Sequence, residues 1–226
     1  SYKLTHNTDS GIGVYSFCMC PGGYVVNASS VSGLLSINGM SNHDRGGRFA
    51  NSAIIMTVGR DDFPKEEGVP ECMRGVAFKE ELERKAYVIG NGAIPYETLG
   101  EYKEGVLGKH SHEMNITDYG FDPDEAFRGQ TRHAPVHEIL PDKLSRAFLE
   151  GMENFGHRIK GFDSDDCIVA GVESRTSSPV RIPRDEGHMA NIKGIYPCGE
   201  GAGYAGGIML AAMDGMLIAE EIWKKL

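Results

Sequence analysis

The stretch that most constrains this chain runs Gly194-Ile-Tyr-Pro-Cys-Gly-Glu-Gly-Ala-Gly-Tyr-Ala-Gly-Gly-Ile208, and no charge follows it until Asp214. A short apolar segment, Ile195–Cys198, reads as a strand that runs into an acid held between glycines. A glycine-rich turn follows, and then a helix of small residues from about Gly207 to Trp223. Glycine lets a backbone turn sharply and approach a ligand closely. The Glu200 carboxylate can accept hydrogen bonds from a polyol, with Gly199 and Gly201 keeping bulky neighbours away. The amides of Gly206, Gly207 and Ile208 open the last helix, whose positive end favours an anion or a ring that gains negative charge. A lone Gly-Glu-Gly is more often a turn with a solvated acid. The ordered sequence of strand, acid, glycine turn and small-residue helix favours a binding corner.

Glycine is frequent throughout, at 30 of 226 residues, and clusters beside polar residues rather than at a fixed period. That distribution suits tight turns and close backbone–ligand approach. A net charge of -9 leaves no basic face for a nucleic-acid partner. No apolar run is long enough to cross a bilayer and no charged-then-apolar leader opens the chain, so the expected location is the cytoplasm. Five cysteines form no paired framework, which favours thiols over disulfides. The sequons at Asn27 and Asn115 then read as chance matches.

Along the chain, Val14–Phe17, Tyr24–Asn27, Leu34–Asn38 and Ala53–Val58 are short apolar runs between Gly, Pro, Ser and Asn, and they predict strands. Val76–Ile89 predicts a helix with Phe78, Leu82, Ala86 and Ile89 on one stripe and Glu80, Glu81, Glu83, Arg84 and Lys85 mostly off it. Residues 95–137 read as loops and short helices. A second amphipathic helix, led by Pro141, carries Leu144, Ala147, Phe148, Met152 and Phe155. Cys167–Glu173 and Val180–Ile182 predict further strands. In the last helix Ile208, Ala212, Gly215, Ala219 and Ile222 line one side, small enough to lie close on a sheet. The fold class is mixed α/β (α+β), divided into residues 1–184 and 185–226.

Three blocks carry a resemblance: Gly13-Val-Tyr-Ser-Phe-Cys-Met-Cys-Pro-Gly-Gly-Tyr24, Gly171-Val-Glu-Ser-Arg-Thr-Ser-Ser-Pro-Val-Arg-Ile182 and Tyr196–Ile208. In them the chain resembles the uncharacterised FAD-dependent dehydrogenases, and residues 194–222 look like the C-terminal flavin motif of two-dinucleotide-binding-domain flavoproteins. The resemblance implies a β-rich cap or substrate domain over residues 1–184, and residues 185–226 as the returning strand–helix of an FAD/NAD(P)-binding Rossmann-like domain. It implies FAD as cofactor, held by Gly199, Glu200, Gly201, Gly203, Gly206, Gly207 and Ile208. NAD(P)H is a possible electron partner. Such flavoproteins open with a Gly-x-Gly-x-x-Gly turn between strand and helix. Here Gly11-Ile-Gly13 is the nearest candidate, and a β-like Val14–Phe17 follows it. The chain therefore reads as the C-terminal portion of a longer flavoprotein, expected to be inactive on its own and to bind FAD weakly or not at all.

Other candidates are more open. Cys18 and Cys20 could act as acid, nucleophile or redox partner near a flavin, with Gly22 and Gly23 allowing a ligand to approach; equally, they are small cysteines ending a strand. His43, beside Asp44 in a polar loop, is a candidate acid–base that also reads as a solvated loop histidine. Arg175, Ser177, Ser178 and Arg181 are candidate substrate ligands, since an arginine fork suits carboxylate or phosphate and hydroxyls can orient a carbonyl; the plainer reading is a Ser-Pro turn with surface arginines. His110, His112 and the cysteines match no recurrent zinc spacing, and Asp163–Asp166 lacks the later ligands of a calcium loop, so no metal site is expected.

The expected activity is hydride transfer between a small organic substrate and flavin N5, with the catalytic candidates Cys18, Cys20 and His43. Its competitor is a non-enzymatic binding or interaction module on a flavoprotein-like scaffold without cofactor. A thiol–metal protein built on Cys18 and Cys20 is a third, weaker reading.

Overall fold

The computed structural model describes residues 4–65, 67–108 and 120–225, and the statements below concern those residues. His110, His112 and Asn115 lie outside them. The fold is mixed α/β, with nine strands in three small sheets and five α-helices among the described residues. The chain divides into two compact units, one of residues 1–62 and 79–174, the other of residues 63–78 and 175–226.

In the first unit, β1 (Thr5–Asn7), β2 (Gly13–Cys20) and β5 (Asn51–Met56) form an antiparallel sheet in the order β1-β2-β5. A second sheet joins β4 (Ile37–Ser41), β3 (Gly23–Asn27) and β7 (Phe127–Arg128). The third joins β8 (Thr131–His133), β6 (Ile94–Thr98) and β9 (Ile168–Ala170). The predicted strands at 14–17, 24–27 and 53–58 are present. The one expected at 34–38 begins only at Ile37, while Leu34, Leu35 and Ser36 are buried ahead of it.

The amphipathic helix α4 (Asp142–Gly156) follows directly after Pro141 and buries Leu144, Ala147, Phe148, Met152 and Phe155, as its stripe predicts. It crosses β2 where a side chain at Gly151 would meet Val14 Cγ1 at 2.5 Å, so a glycine is needed for that close approach. Val14 and Phe155 are fully buried there.

Residues 95–137 are more regular than their polarity suggests. β6 is central in its sheet, with Ile94, Pro95, Glu97 and Thr98 buried. Helix α2 (Leu99–Leu107) starts on a capping box: Glu101 N–H donates to Thr98 Oγ1 at 3.1 Å and Thr98 N–H to Glu101 Oε2 at 2.8 Å. Helix α3 (Pro123–Ala126) precedes β7.

Helix α1 (Arg74–Gly90) matches the predicted span, with Phe78, Leu82 and Ala86 buried. Glu83, expected on the polar side, is fully buried instead. The Ser174 hydroxyl donates to its carboxylate at 2.5 Å, and Lys79 Nζ lies 3.6 Å away. A buried carboxylate needs such partners.

The second unit has no strand among its described residues. Val180–Ile182 and Ile195–Cys198, both expected to be strands, are extended chain outside any sheet. Short apolar runs make a strand only when a neighbour offers its hydrogen bonds, and these lie against loop backbone. Helix α5 (Ile208–Trp223) spans the predicted residues. Its expected inward stripe is not buried: Asp214 and Ile218 are, while Ile208 is 80% exposed, because this unit contains no sheet for the stripe to lie on.

Candidate functional site

Two of the three sequence blocks meet inside the second unit. The segment 178–184 wraps the glycine turn 199–204. Ser178 Oγ donates to Gly201 O at 3.1 Å, Ile182 N–H to Ala202 O at 3.1 Å, and the Tyr204 hydroxyl to Ile182 O at 3.0 Å. The turn is closed from within by Gly203 N–H to Glu200 O and Tyr204 N–H to Gly199 O, at 2.9 and 3.0 Å.

Asp214, the first acid of α5, ties the corner together. The Arg184 guanidinium donates to both its oxygens, at 2.7 and 3.0 Å, and Gly199 N–H donates at 2.8 Å. Arg184 also donates to Pro197 O at 2.9 Å. These bonds, led by Arg184, hold the Asp214 carboxyl down at about 2 against the opposing effect of burial. The sequence signal was available: a carboxylate within the otherwise apolar first three turns of α5 implies a fixed partner.

Glu200 turns toward the start of α5, where its Oε2 accepts from Gly207 N–H at 3.3 Å. That is a long contact, and it leaves the second oxygen free of any recorded partner. The carboxylate sits at the helix N-terminus, where negative charge is favoured.

The glycines of the turn fall into two kinds. Gly199, Gly203 and Gly207 have φ of +72°, +80° and +84°. Gly203 also brings its α-carbon against the neighbouring segment: a Cβ there would lie 2.5 Å from Val180 O. Gly201 and Gly206 have neither a left-handed φ nor any atom within 4 Å of an added Cβ. The fold of this unit does not require them to be glycine. Open space at these two residues thus lies beside a carboxylate seated at a helix N-terminus.

Arg181 and Arg184 both lie over the Tyr204 ring, with guanidinium carbons 4.3 and 3.6 Å from its centroid. Ser177 is exposed on the same segment, and Arg175 begins the unit.

The catalytic candidates Cys18, Cys20 and His43 all belong to the first unit. Cys18 is exposed at φ +47° in a bulge of β2, where pairing with β5 slips between Phe17 and Cys20. The Cys20 thiol donates to Cys18 O at 3.3 Å. Burial, helped by the Glu173 carboxylate, pushes that thiol up, so it stays protonated near neutral pH and is a poor nucleophile. The expected approach of a ligand over Gly22 and Gly23 is closed. A Cβ on Gly22 would lie 2.1 Å from Arg45 O, and one on Gly23 1.8 Å from Met40 O. His43 is exposed in the connection from β4 to β5. Among the described residues no three metal-ligating side chains converge.

A buried pair that periodicity did not reveal lies in the first unit. Glu97 in β6 accepts from His137 N–H at 2.6 Å and lies 3.0 Å from His137 Nδ1. Burial raises the Glu97 carboxyl above the usual range despite the histidine. Gly105 of α2 makes room for that imidazole: an added Cβ would lie 2.3 Å from Nε2.

No helix among the described residues is long and apolar enough to cross a membrane. Over 229 residues the chain is 40% identical to an uncharacterised protein of Clostridium beijerinckii, an alignment that covers 99% of this chain and 40% of that protein. The chain thus spans about 40% of the length of the relative it matches. Residues 1–176 match the family described as FAD-dependent protein, C-terminal domain-like, and the chain belongs to that family.

Proposed function

We propose that this chain is the C-terminal part of a larger FAD-dependent oxidoreductase that passes hydride between a small organic substrate and flavin N5. The observation that carries the reading is the corner of the second unit, where two glycines that the local fold does not need stand beside Glu200 and the start of α5. Family membership, carried by residues 1–176, supports FAD as the cofactor of the larger protein; its seat at this corner is our own reading. Bound flavin would supply the redox chemistry, and the chain would supply placement and electrostatics. Glu200 would accept hydrogen bonds from the ribityl hydroxyls. The first-turn amides of α5 would face the ring edge that gains charge on reduction. In the second unit Ser177, Ser178, Arg175 and Arg181 are the candidate substrate ligands; in the first, Cys18, Cys20 and His43 are the candidate proton-transfer groups. A cytoplasmic setting and NAD(P)H as electron partner belong to the same reading, as does an N-terminal dinucleotide-binding unit outside this segment.

The outer face of α5 supports a larger whole. Ile208, Met209, Met213, Met216 and Trp223 are all more than half exposed, an apolar surface of the kind that other parts of a protein cover. The test is to purify the longest natural protein carrying this segment and titrate it with FAD, alongside Glu200→Ala. The proposal expects saturable yellow complex formation that the substitution weakens by roughly tenfold, as for loss of a charge-assisted hydrogen bond. A protein that never takes up flavin would sink it.

A further inference from the structure

Beside the glycine turn, the second unit holds a cleft of about 460 Å³ whose wall includes Arg181, Pro183, Arg184, Glu186, His188 and Tyr204. Its charges are unequally committed. Arg184 is neutralised by Asp214. Asp185, also on the wall, accepts from Met189 N–H at 2.9 Å. Arg181 differs: among the described residues its guanidinium has no ion pair or hydrogen bond, and its recorded contact is the Tyr204 ring, 4.3 Å away. That ring is itself fixed, since its hydroxyl donates to Ile182 O. The backbone of Arg181 is fixed too, because Gly203 lies directly against it. A guanidinium resting over a tethered ring on the wall of a cleft is well placed to receive a carboxylate or phosphate.

We propose that Arg181 is the anchor for the carboxylate of an organic monocarboxylate bound in this cleft. The inference rests on the reading of segment 178–184 as substrate-facing, and it names the substrate class. The cleft offers one uncommitted fixed cation, and Glu186 lies on its wall. Beside the Asp185 and Glu186 carboxylates, a single negative charge is the most that Arg181 can meet. A phosphate dianion would carry a second charge toward Glu186 with nothing fixed to meet it. Pro183 gives the ligand's carbon body an apolar surface.

The test follows the Arg181 Nε–H signal and the Tyr204 backbone N–H signal, the latter also present in Arg181→Met, in 15N-edited NMR spectra of the full chain during titration with benzoate, then with inorganic phosphate. The wild type is expected to give a saturable shift with benzoate and a weaker response to phosphate. Arg181→Met should weaken benzoate binding by roughly tenfold or more, since the bidentate contact is lost. Glu186→Gln should narrow the preference for benzoate over phosphate. No saturable shift in the wild type, unchanged binding in Arg181→Met, or tighter phosphate than benzoate would each overturn the proposal. FAD uptake is read separately, by visible absorbance of the longest natural protein carrying this segment. Benzoate binding lost with FAD binding intact removes only the carboxylate site; benzoate binding without FAD uptake supports the site and removes the flavin.

Discussion

Arg184 and Asp214 stand 30 residues apart in sequence and meet as a bidentate pair, with side chains only 11% and 10% exposed. Their meeting joins three pieces of chain: the wrapping segment, the strand-like approach to the glycine turn through Pro197 and Gly199, and the last helix. Removing one partner leaves the other charged and largely dry. Asp214→Asn should therefore destabilise the second unit by about 2–4 kcal/mol, read by denaturant unfolding. A change within about 0.5 kcal/mol, the range of an ordinary surface substitution, would mean the pair does not organise the corner.

The same pair sets a pH dependence. Arg184 holds the Asp214 carboxyl at about 2, below its ordinary 3.8. A depressed folded-state value means the stabilisation is fully present above about 4 and is lost as pH falls through about 2. The stability gap between wild type and Asp214→Asn should be widest near neutral pH and close across that acid window. A gap that holds constant or grows on acidification would contradict the assignment.

The two kinds of glycine give opposite expectations. Gly203→Ala adds a Cβ at 2.5 Å from Val180 O on a backbone with φ +80°. It should cost roughly 2–4 kcal/mol, since backbone conformation and a backbone contact both oppose it. Gly206→Ala meets nothing within 4 Å, and thermal unfolding should place it within about 0.5 kcal/mol of wild type. Equal losses for the two would show that Gly206 serves the fold after all.

Glu97 makes a different case, because burial raises its carboxyl while His137 opposes that shift. A raised folded-state value favours folding at pH below the unfolded value and is a growing cost as pH rises through the folded one. Glu97→Gln keeps an acceptor for His137 N–H and removes the buried charge. It should sit within about 1 kcal/mol of wild type near neutral pH, whereas Glu97→Ala leaves that N–H unsatisfied and should lose about 2–3 kcal/mol. The two substitutions having equal cost would place the stabilisation in the charge instead.

The sequence disclosed those elements whose signals are local. The stripes of α1 and α4 and the small-residue run of α5 set helices at the predicted places, and β2, β3 and β5 were legible as short apolar runs between turn formers. The capping box at Thr98 and Glu101 is also a local signal, but the reading of residues 95–137 as loops and short helices passed over it. What escaped depends on distant partners. Glu83 is buried because Ser174 reaches it, and Val180–Ile182 and Ile195–Cys198 miss being strands because loop backbone takes their hydrogen bonds. The candidate site shows the same division. Gly199 to Ile208 announced a corner, but the role of Asp214 and the stacking of two arginines on Tyr204 needed the folded chain.

The flavin corner is tested most directly by an absorbance titration of the longest natural protein carrying this segment with FAD, wild type against Gly206→Val. The account predicts saturable, stoichiometric uptake by the wild type and clearly weaker uptake by the variant, with apo-protein unfolding little changed. Failure of the wild type to take up FAD, or equal uptake by both proteins, would contradict it.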